Sequence, residues 1–197
     1  MNEHSGIMLA LLAAGQSRRF GDQDKLGALL GDKMLGLHAA GTGAGMPFSQ
    51  KLVIASPEHD CAAQWSELGY RVIANEDASQ GQATSVRLAA AHAVEAGASA
   101  LCIMLADMPF LTGDHLSKLI ENFEQAGETN SVASARNGQA MPPAIFPSGA
   151  LESLLKLTGD AGARMLLADA LLVAGDDQLL IDIDTPEDLA EANRSFR

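Results

Sequence analysis

The chain has 197 residues, 47% hydrophobic and 19% charged, a globular composition long enough to bury a core without disulfides or a structural metal. Its formal net charge of −12 argues against nucleic acid and anionic membrane surfaces as partners, since both need clustered Lys and Arg. Two well-separated cysteines, Cys61 and Cys102, form no metal-type spacing and read as reduced thiols, with Cys102 in a core strand.

The chain opens MNEHSG, then enters an apolar run over 7–14. It lacks a basic leader region, and the run is too short to span a bilayer, so the expectation is a cytoplasmic protein. Residues 7–12 predict a strand that ends before Gly15, and 51–55 a second, followed by a helix over 58–68. A third strand at 70–74 precedes a helix over 82–95. A fourth at 100–105 precedes a helix over 112–126 that stops at Gly127. These apolar runs do not alternate with polar residues, which predicts strands buried on both faces. Their alternation with helices predicts βαβ units, hence an α/β fold of three layers with a mostly parallel sheet.

The final third is less regular. Strands are expected at 131–135, 144–146 and 179–183, and helices over 149–157 and 161–170. The last helix has a clear start: Thr185 as cap, Pro186 in the first helical position, then Glu187 and Asp188 in the first turn. The whole chain, 1–197, reads as one domain.

In open α/β sheets ligands sit at the carboxyl ends of the strands, which selects four segments. The first runs Leu12-Ala13-Ala14-Gly15-Gln16-Ser17-Arg18-Arg19-Phe20-Gly21, with Lys25 just beyond. Small residues let backbone N–H groups approach a phosphate, and three cations here offset a chain that is otherwise acidic. A tight turn with solvated cations would read the same way. The segment is neither a Walker A loop nor GxGxxG. The second is Asp107-Met108-Pro109, where Asp107 is a hard oxygen donor suited to Mg²⁺ or, alternatively, a loop cap. In the third, Asp182-Ile183-Asp184, strand alternation would set both carboxylates on one side. They suit a metal or simply the positive end of the last helix. The fourth, Ser79 to Ser85, has Gly81 to admit a ligand and Ser85 to bond a nucleobase edge; it also fits an ordinary helix start.

In their order along the chain and at these spacings, the segments resemble the nucleotidyltransferases of molybdenum-cofactor biosynthesis. The pattern LAAGxSxRxG…K is met by Leu12 to Gly21 with Lys25. Asp107 stands in the family's D-x-P context, Asp182 to Leu189 spells DIDTPEDL, and Gly81 to Ser85 matches G-x-x-x-S. Pro143-Ala144-Ile145-Phe146 and the stretch from Leu157 to Arg164 resemble segments of the cytidylyltransferase branch, as does LAAG in place of LAGG. Met141-Pro142 departs from the pattern on the pterin side.

The resemblance implies a three-layer, Rossmann-like nucleotidyltransferase fold. It implies transfer of CMP from CTP to molybdopterin, the organic part of molybdenum cofactor, with release of pyrophosphate. The product would serve an apo-molybdoenzyme of the xanthine dehydrogenase type. Lys25, Arg19 and Asp107 would carry catalysis. Leu12, Ala13, Ala14, Gly15, Ser17, Arg18, Arg19, Lys25, Gly81 and Ser85 would bind nucleotide. Asp107 would bind Mg²⁺ with Asp182 or Asp184. Asp160 and Arg164 would touch the acceptor or order its loop, or else cap a helix and pair internally. The five histidines form no constellation and are expected on surfaces or loops. Rival readings are guanylyl transfer, transfer to another small anion such as a phosphosugar or phospholactate, and a non-catalytic chaperone that hands on cofactor.

Overall fold

The computed structural model describes residues 4–15, 19–21, 24–56, 58–159 and 162–195. Strand β1 (His4–Leu12) leads through a single 3-10 turn, Lys25–Gly27, into a small hairpin of β2 (Leu29–Leu30) and β3 (Lys33–Met34). Then come α1 (Gly36–Ala44), β4 (Phe48–Ala55), α2 (Ala62–Glu67), β5 (Arg71–Ala74), α3 (Gln82–Glu95), β6 (Ala100–Leu105) and α4 (Gly113–Gln125). The last part holds β7 (Val132–Arg136), β8 (Gln139–Pro147), α5 (Ser148–Leu155), a 3-10 turn at Gly162–Leu167, β9 (Leu171–Ala174) and α6 (Pro186–Ser195).

Seven strands form one sheet in the order β5-β4-β1-β6-β8-β7-β9. Only β8 runs against the rest, so the sheet is mostly parallel, as expected. Strand β1 lies between β4 and β6, with Met8 to Ala13 all buried. Its alternation divides the core. Ile7, Leu9 and Leu11 join Leu35, Trp65, Leu116 and Phe123 of the α1, α2 and α4 layer. Met8, Ala10 and Leu12 join Val86, Ala89, Ala93 and Leu151 of the α3 and α5 layer. A strand covered on both faces has no need of polar residues, which is why its sequence reads as an unbroken apolar run.

Several expectations are corrected. Helix α1 was not foreseen, because Gly36, Gly41 and Gly43 argue against a helix by propensity. Packing requires at least one of them: a Cβ on Gly43 would sit 2.5 Å from the Tyr70 hydroxyl and 2.7 Å from a Leu9 methyl. The helix expected over 161–170 is the 3-10 turn, and the unforeseen β9 follows it. The strand expected at 179–183 is an extended loop with no ladder; Ile183 N–H instead donates to the Asp107 carbonyl at 2.9 Å. Strand β8 starts at Gln139 and carries Pro142 and Pro143 through a register shift opposite Ala133 and Ser134. Such a bulge accommodates residues that cannot donate to a ladder. The histidines are not all peripheral. His115 is 4% exposed in α4, where its Nε2 meets Ser134 Oγ at 2.8 Å while that hydroxyl donates to the Pro143 carbonyl at 2.9 Å.

The start of α6 is a reciprocal cap. Asp188 Oδ2 accepts from the N–H groups of Asp184 and Thr185 at 3.1 and 2.8 Å, and Asp188 N–H donates to Thr185 Oγ1 at 3.1 Å. Further along, Asn193 accepts from Gly31 N–H at 2.9 Å and donates to the Leu29 carbonyl at 3.2 Å. Helix α6 therefore clasps the hairpin that follows the Lys25 turn. No helix among the described residues is long and apolar enough to cross a membrane.

Candidate active site

The carboxyl ends of β1, β5 and β6 open into a pocket of about 490 Å³, a size usual for small-molecule sites. The turn after β1 brings Leu12, Ala13, Ala14 and Gly15 to its wall, with Arg19 and Lys25 beyond them. Ala13 is anchored to β4 by donating to the Ile54 carbonyl at 2.9 Å. A Cβ on Gly15 would meet no described atom beyond its chain neighbours within 4 Å, so there is open space beside this turn.

Lys25 is aimed inward by local chemistry. Asp24 caps its turn, accepting from Leu26 N–H at 3.0 Å. Behind the cap stands His59, 5% exposed, with its Nε2 2.6 Å from Asp24 Oδ2. That contact is close without lying along the direction of a ring N–H. From this turn Lys25 Nζ donates to Asp107 Oδ2 at 2.6 Å and to Asp184 Oδ1 at 2.8 Å. Arg19 reaches the second oxygen of Asp184 at 2.9 Å. The Lys25 and Asp107 side chains are only 10% and 18% exposed, so water screens their pairing little, whereas Arg19 is 75% exposed.

Burial alone would lower the Lys25 pKa, but Asp107 and Asp184 outweigh it and hold the ammonium above its ordinary value. For Asp107 burial dominates and pushes the carboxyl upward. Lys25 pulls it back without cancelling the shift, and the nearby charges of Asp182 and Asp184 add to the rise. Asp107 Oδ1 is buried and has no hydrogen-bond partner among the described residues. The acidic side of the pocket therefore has more negative charge than Lys25 neutralises.

At the other end Gly81 opens α3 with φ of 105°, a conformation that L side chains rarely adopt. It lines the pocket together with Ser79, Gln80, Gln82 and Ser85. The start of a 14-residue helix thus faces the cavity, with its positive dipole end toward any anion there.

The structure gathers Leu12, Ala13, Ala14, Gly15, Arg19, Lys25, Gly81, Ser85, Asp107 and Asp184 around this one space. Ser17, Arg18 and Asp160 lie outside the described residues. Asp182 does not line the pocket: residues 181–184 are loop rather than strand, so the alternation that set it beside Asp184 does not hold, and it is exposed. Arg164 is exposed on its 3-10 turn and also outside the lining. The sequence reading missed Asn75, Asp24 and His59. Asn75 follows directly on β5, so the strand-end rule that selected Asp107 would have found it. Asp directly before Lys25 is an ordinary capping signal.

Residues 9–177 match the family model described as the MobA-like NTP transferase domain. The chain is 35% identical over 200 residues to the purine catabolism protein PucB of Bacillus subtilis, covering 94% of this chain and 95% of that one. It is 28% identical over 193 residues to a molybdenum cofactor guanylyltransferase of Cereibacter sphaeroides, covering 95% of each. It also superposes on the crystal structure of the Rv0371c homolog from Mycobacterium sp. strain JC1 with a TM-score of 0.75 at 23% identity, covering 96% of each chain. At that identity the likeness establishes the fold.

Proposed function

The chain belongs to the MobA-like NTP transferase family, and from that premise we propose that it transfers CMP from CTP to molybdopterin, releasing pyrophosphate. The family makes it a nucleotidyltransferase. The cytidylyl reading is supported by LAAG in the first turn and by the later segments Pro143 to Phe146 and Leu157 to Arg164. The relative named for purine catabolism is consistent with it, because xanthine is a purine and the expected recipient is an apo-enzyme of the xanthine dehydrogenase type.

In this reading a terminal phosphate oxygen of the acceptor attacks the α-phosphorus of CTP. A new P–O bond forms, the bond from that phosphorus to the bridging oxygen breaks, and pyrophosphate leaves with the electron pair. Little covalent work falls to the protein; it must hold two anions together and neutralise the charge that develops on the leaving group. Lys25 is placed for that task, with Arg19 at the rim. The turn 12–15 and the segment 81–85 hold the nucleoside.

The residues present also fit Mg²⁺. Asp107 and Asp184 are hard donors in one pocket, and Asp107 keeps a buried oxygen without a hydrogen-bond partner among the described residues. No group of three or more His, Cys, Asp or Glu gathers among the described residues. Mg²⁺ commonly takes one or two carboxylates and completes its shell with water and substrate phosphates. When bound it supplies Lewis-acid neutralisation of phosphate charge.

The observation that carries the proposal is Lys25 bridging Asp107 and Asp184 at 2.6 and 2.8 Å beside the small-residue turn. The test mixes pure protein with each nucleoside triphosphate in turn, Mg²⁺ and molybdopterin, and weighs the product. A CMP adduct is expected. A GMP adduct would install the second reading, guanylyl transfer, which the 28% identical relative favours. No pyrophosphate from any nucleotide would leave a cofactor-handing chaperone.

A further inference from the structure

The uncharged end of the pocket contains a hydrogen-bond chain with a defined direction. Asn75 Oδ1 accepts from Asp77 N–H at 3.1 Å, and only the carbonyl end of the amide can do so. Its Nδ2 is therefore the end that faces α3, where it donates to Thr84 Oγ1 at 3.0 Å and Ser85 Oγ at 2.8 Å. Both hydroxyls accept from Asn75, so each must send its own proton elsewhere. Thr84 donates to the Gly81 carbonyl at 2.8 Å. Ser85 has no acceptor for its proton among the described residues. It is 5% exposed and lines the pocket.

We propose that Asn75 is a positioning residue that fixes the polarity of Ser85, making its hydroxyl a donor toward an acceptor atom on the nucleobase edge. The inference rests on the nucleotide reading of this pocket and deepens it. A ring nitrogen or carbonyl oxygen fits such a donor; an N–H at that spot would face another proton. Cytosine presents N3 and O2 as adjacent acceptors on its pairing edge, whereas guanine presents two donors beside one carbonyl. A polarised Ser85 therefore finds two matching acceptors on cytosine's pairing edge and one on guanine's.

Asn75→Asp nearly preserves shape and reverses the chain. The carboxylate accepts from both hydroxyls, Ser85 turns its proton inward, and only lone pairs face the base. Calorimetry with ATP, GTP, CTP and UTP on wild type, Asn75→Asp, Ser85→Ala and the double variant reads the consequence. For the tightest-binding nucleotide, Asn75→Asp is expected to weaken binding about tenfold, the scale of one hydrogen bond turned repulsive. In the Ser85→Ala background the same change is expected to cost nothing further. KM is expected to rise while kcat holds.

An equal loss in the Ser85→Ala background would show that Asn75 acts through charge or folding and would overturn the proposal, as would an Asn75→Asp protein that binds like wild type. If Asn75→Asp does not fold, Asn75→Ser completes the same cycle, and additive losses overturn the proposal. A wild type that prefers GTP would overturn the cytidylyl reading while the Asn75–Ser85 coupling is still measured with GTP. A wild type that binds none of the four would overturn both.

Discussion

One end of the pocket joins residues 82, 159 and 165 positions apart, through Lys25–Asp107, Lys25–Asp184 and Arg19–Asp184. The other joins Asn75 to Thr84 and Ser85 across 9 and 10 positions. The first consists of charges brought together by the sheet, and part of it is buried enough to escape screening. The second consists of neutral donors and acceptors set by one strand end and one helix start. Charge is thus placed by topology, at a cost in desolvation, and the neutral hydrogen bonds by local geometry. Disturbing the charged end should strike turnover, and the more so the deeper the residue lies.

The largest effect is expected from Asp107→Asn. Pyrophosphate release should fall by roughly a hundredfold or more, as when a principal electrostatic stabiliser is removed. Stability should behave differently. Because burial raises the Asp107 pKa in the fold, the ionised carboxylate destabilises the native state at neutral pH, and that penalty fades as pH falls through the raised pKa. Relief of that penalty in Asp107→Asn is set against the loss of an anionic partner for the buried Lys25 ammonium, so a melting temperature below that of wild type at neutral pH would show that the pairing outweighs the burial penalty. Normal Mg²⁺-dependent turnover would remove Asp107 from the mechanism.

Lys25→Ala should come next. It leaves two carboxylates without their shared cation and should raise KM for nucleotide about tenfold or more; an unchanged KM would exclude Lys25 from the site. Its pH signature is distinct. The folded pKa lies above 10.5, so the stability Lys25 contributes is complete below 10.5 and lost as pH climbs through the folded value. The difference in unfolding free energy between wild type and Lys25→Met should hold constant to 10.5 and shrink above it in denaturant titrations.

Thr185→Ala should be milder. Losing the cap of α6 should cost about 1 kcal/mol in a thermal melt, and the loosened Asp184 should raise KM a few-fold. A melt unchanged from wild type would show that Asp188 holds the helix start alone. Smallest is Arg19→Ala, where a rim cation that is mostly exposed should change KM about twofold. The difference should vanish in high salt, and a salt-independent loss would place Arg19 deeper in the working site than its 75% exposure indicates.

The same contrast explains what the sequence disclosed. Met8 to Ala13 read as a buried strand because nothing polar interrupts them, and the rule that ligands gather at strand ends then selected Gly15, Gly81 and Asp107 without any knowledge of contacts. The strand expected at 179–183 did not form, so alternation does not place Asp182, and Ile183 makes one backbone bond rather than a ladder. Helix α1 was hidden because Gly43 is dictated by how closely that helix approaches Leu9 and Tyr70, a packing fact that propensity does not carry. Strand β8 was expected only over 144–146, and the bulge opposite Ala133 carries it through Pro142 and Pro143 to a start at Gln139. Asn75 was overlooked for a simpler reason: an amide beside a turn looks like turn chemistry until its two partners are seen on the neighbouring helix.

The pairing of Lys25 with Asp184 also has an order along the chain. The last strand, β9, ends at Ala174, ten positions before Asp184. Asn193, which clasps the hairpin beyond Lys25, comes later still. A polypeptide cut short after β9 would therefore retain every strand of the sheet while losing one carboxylate that meets the ammonium and the clasp that secures the hairpin behind it.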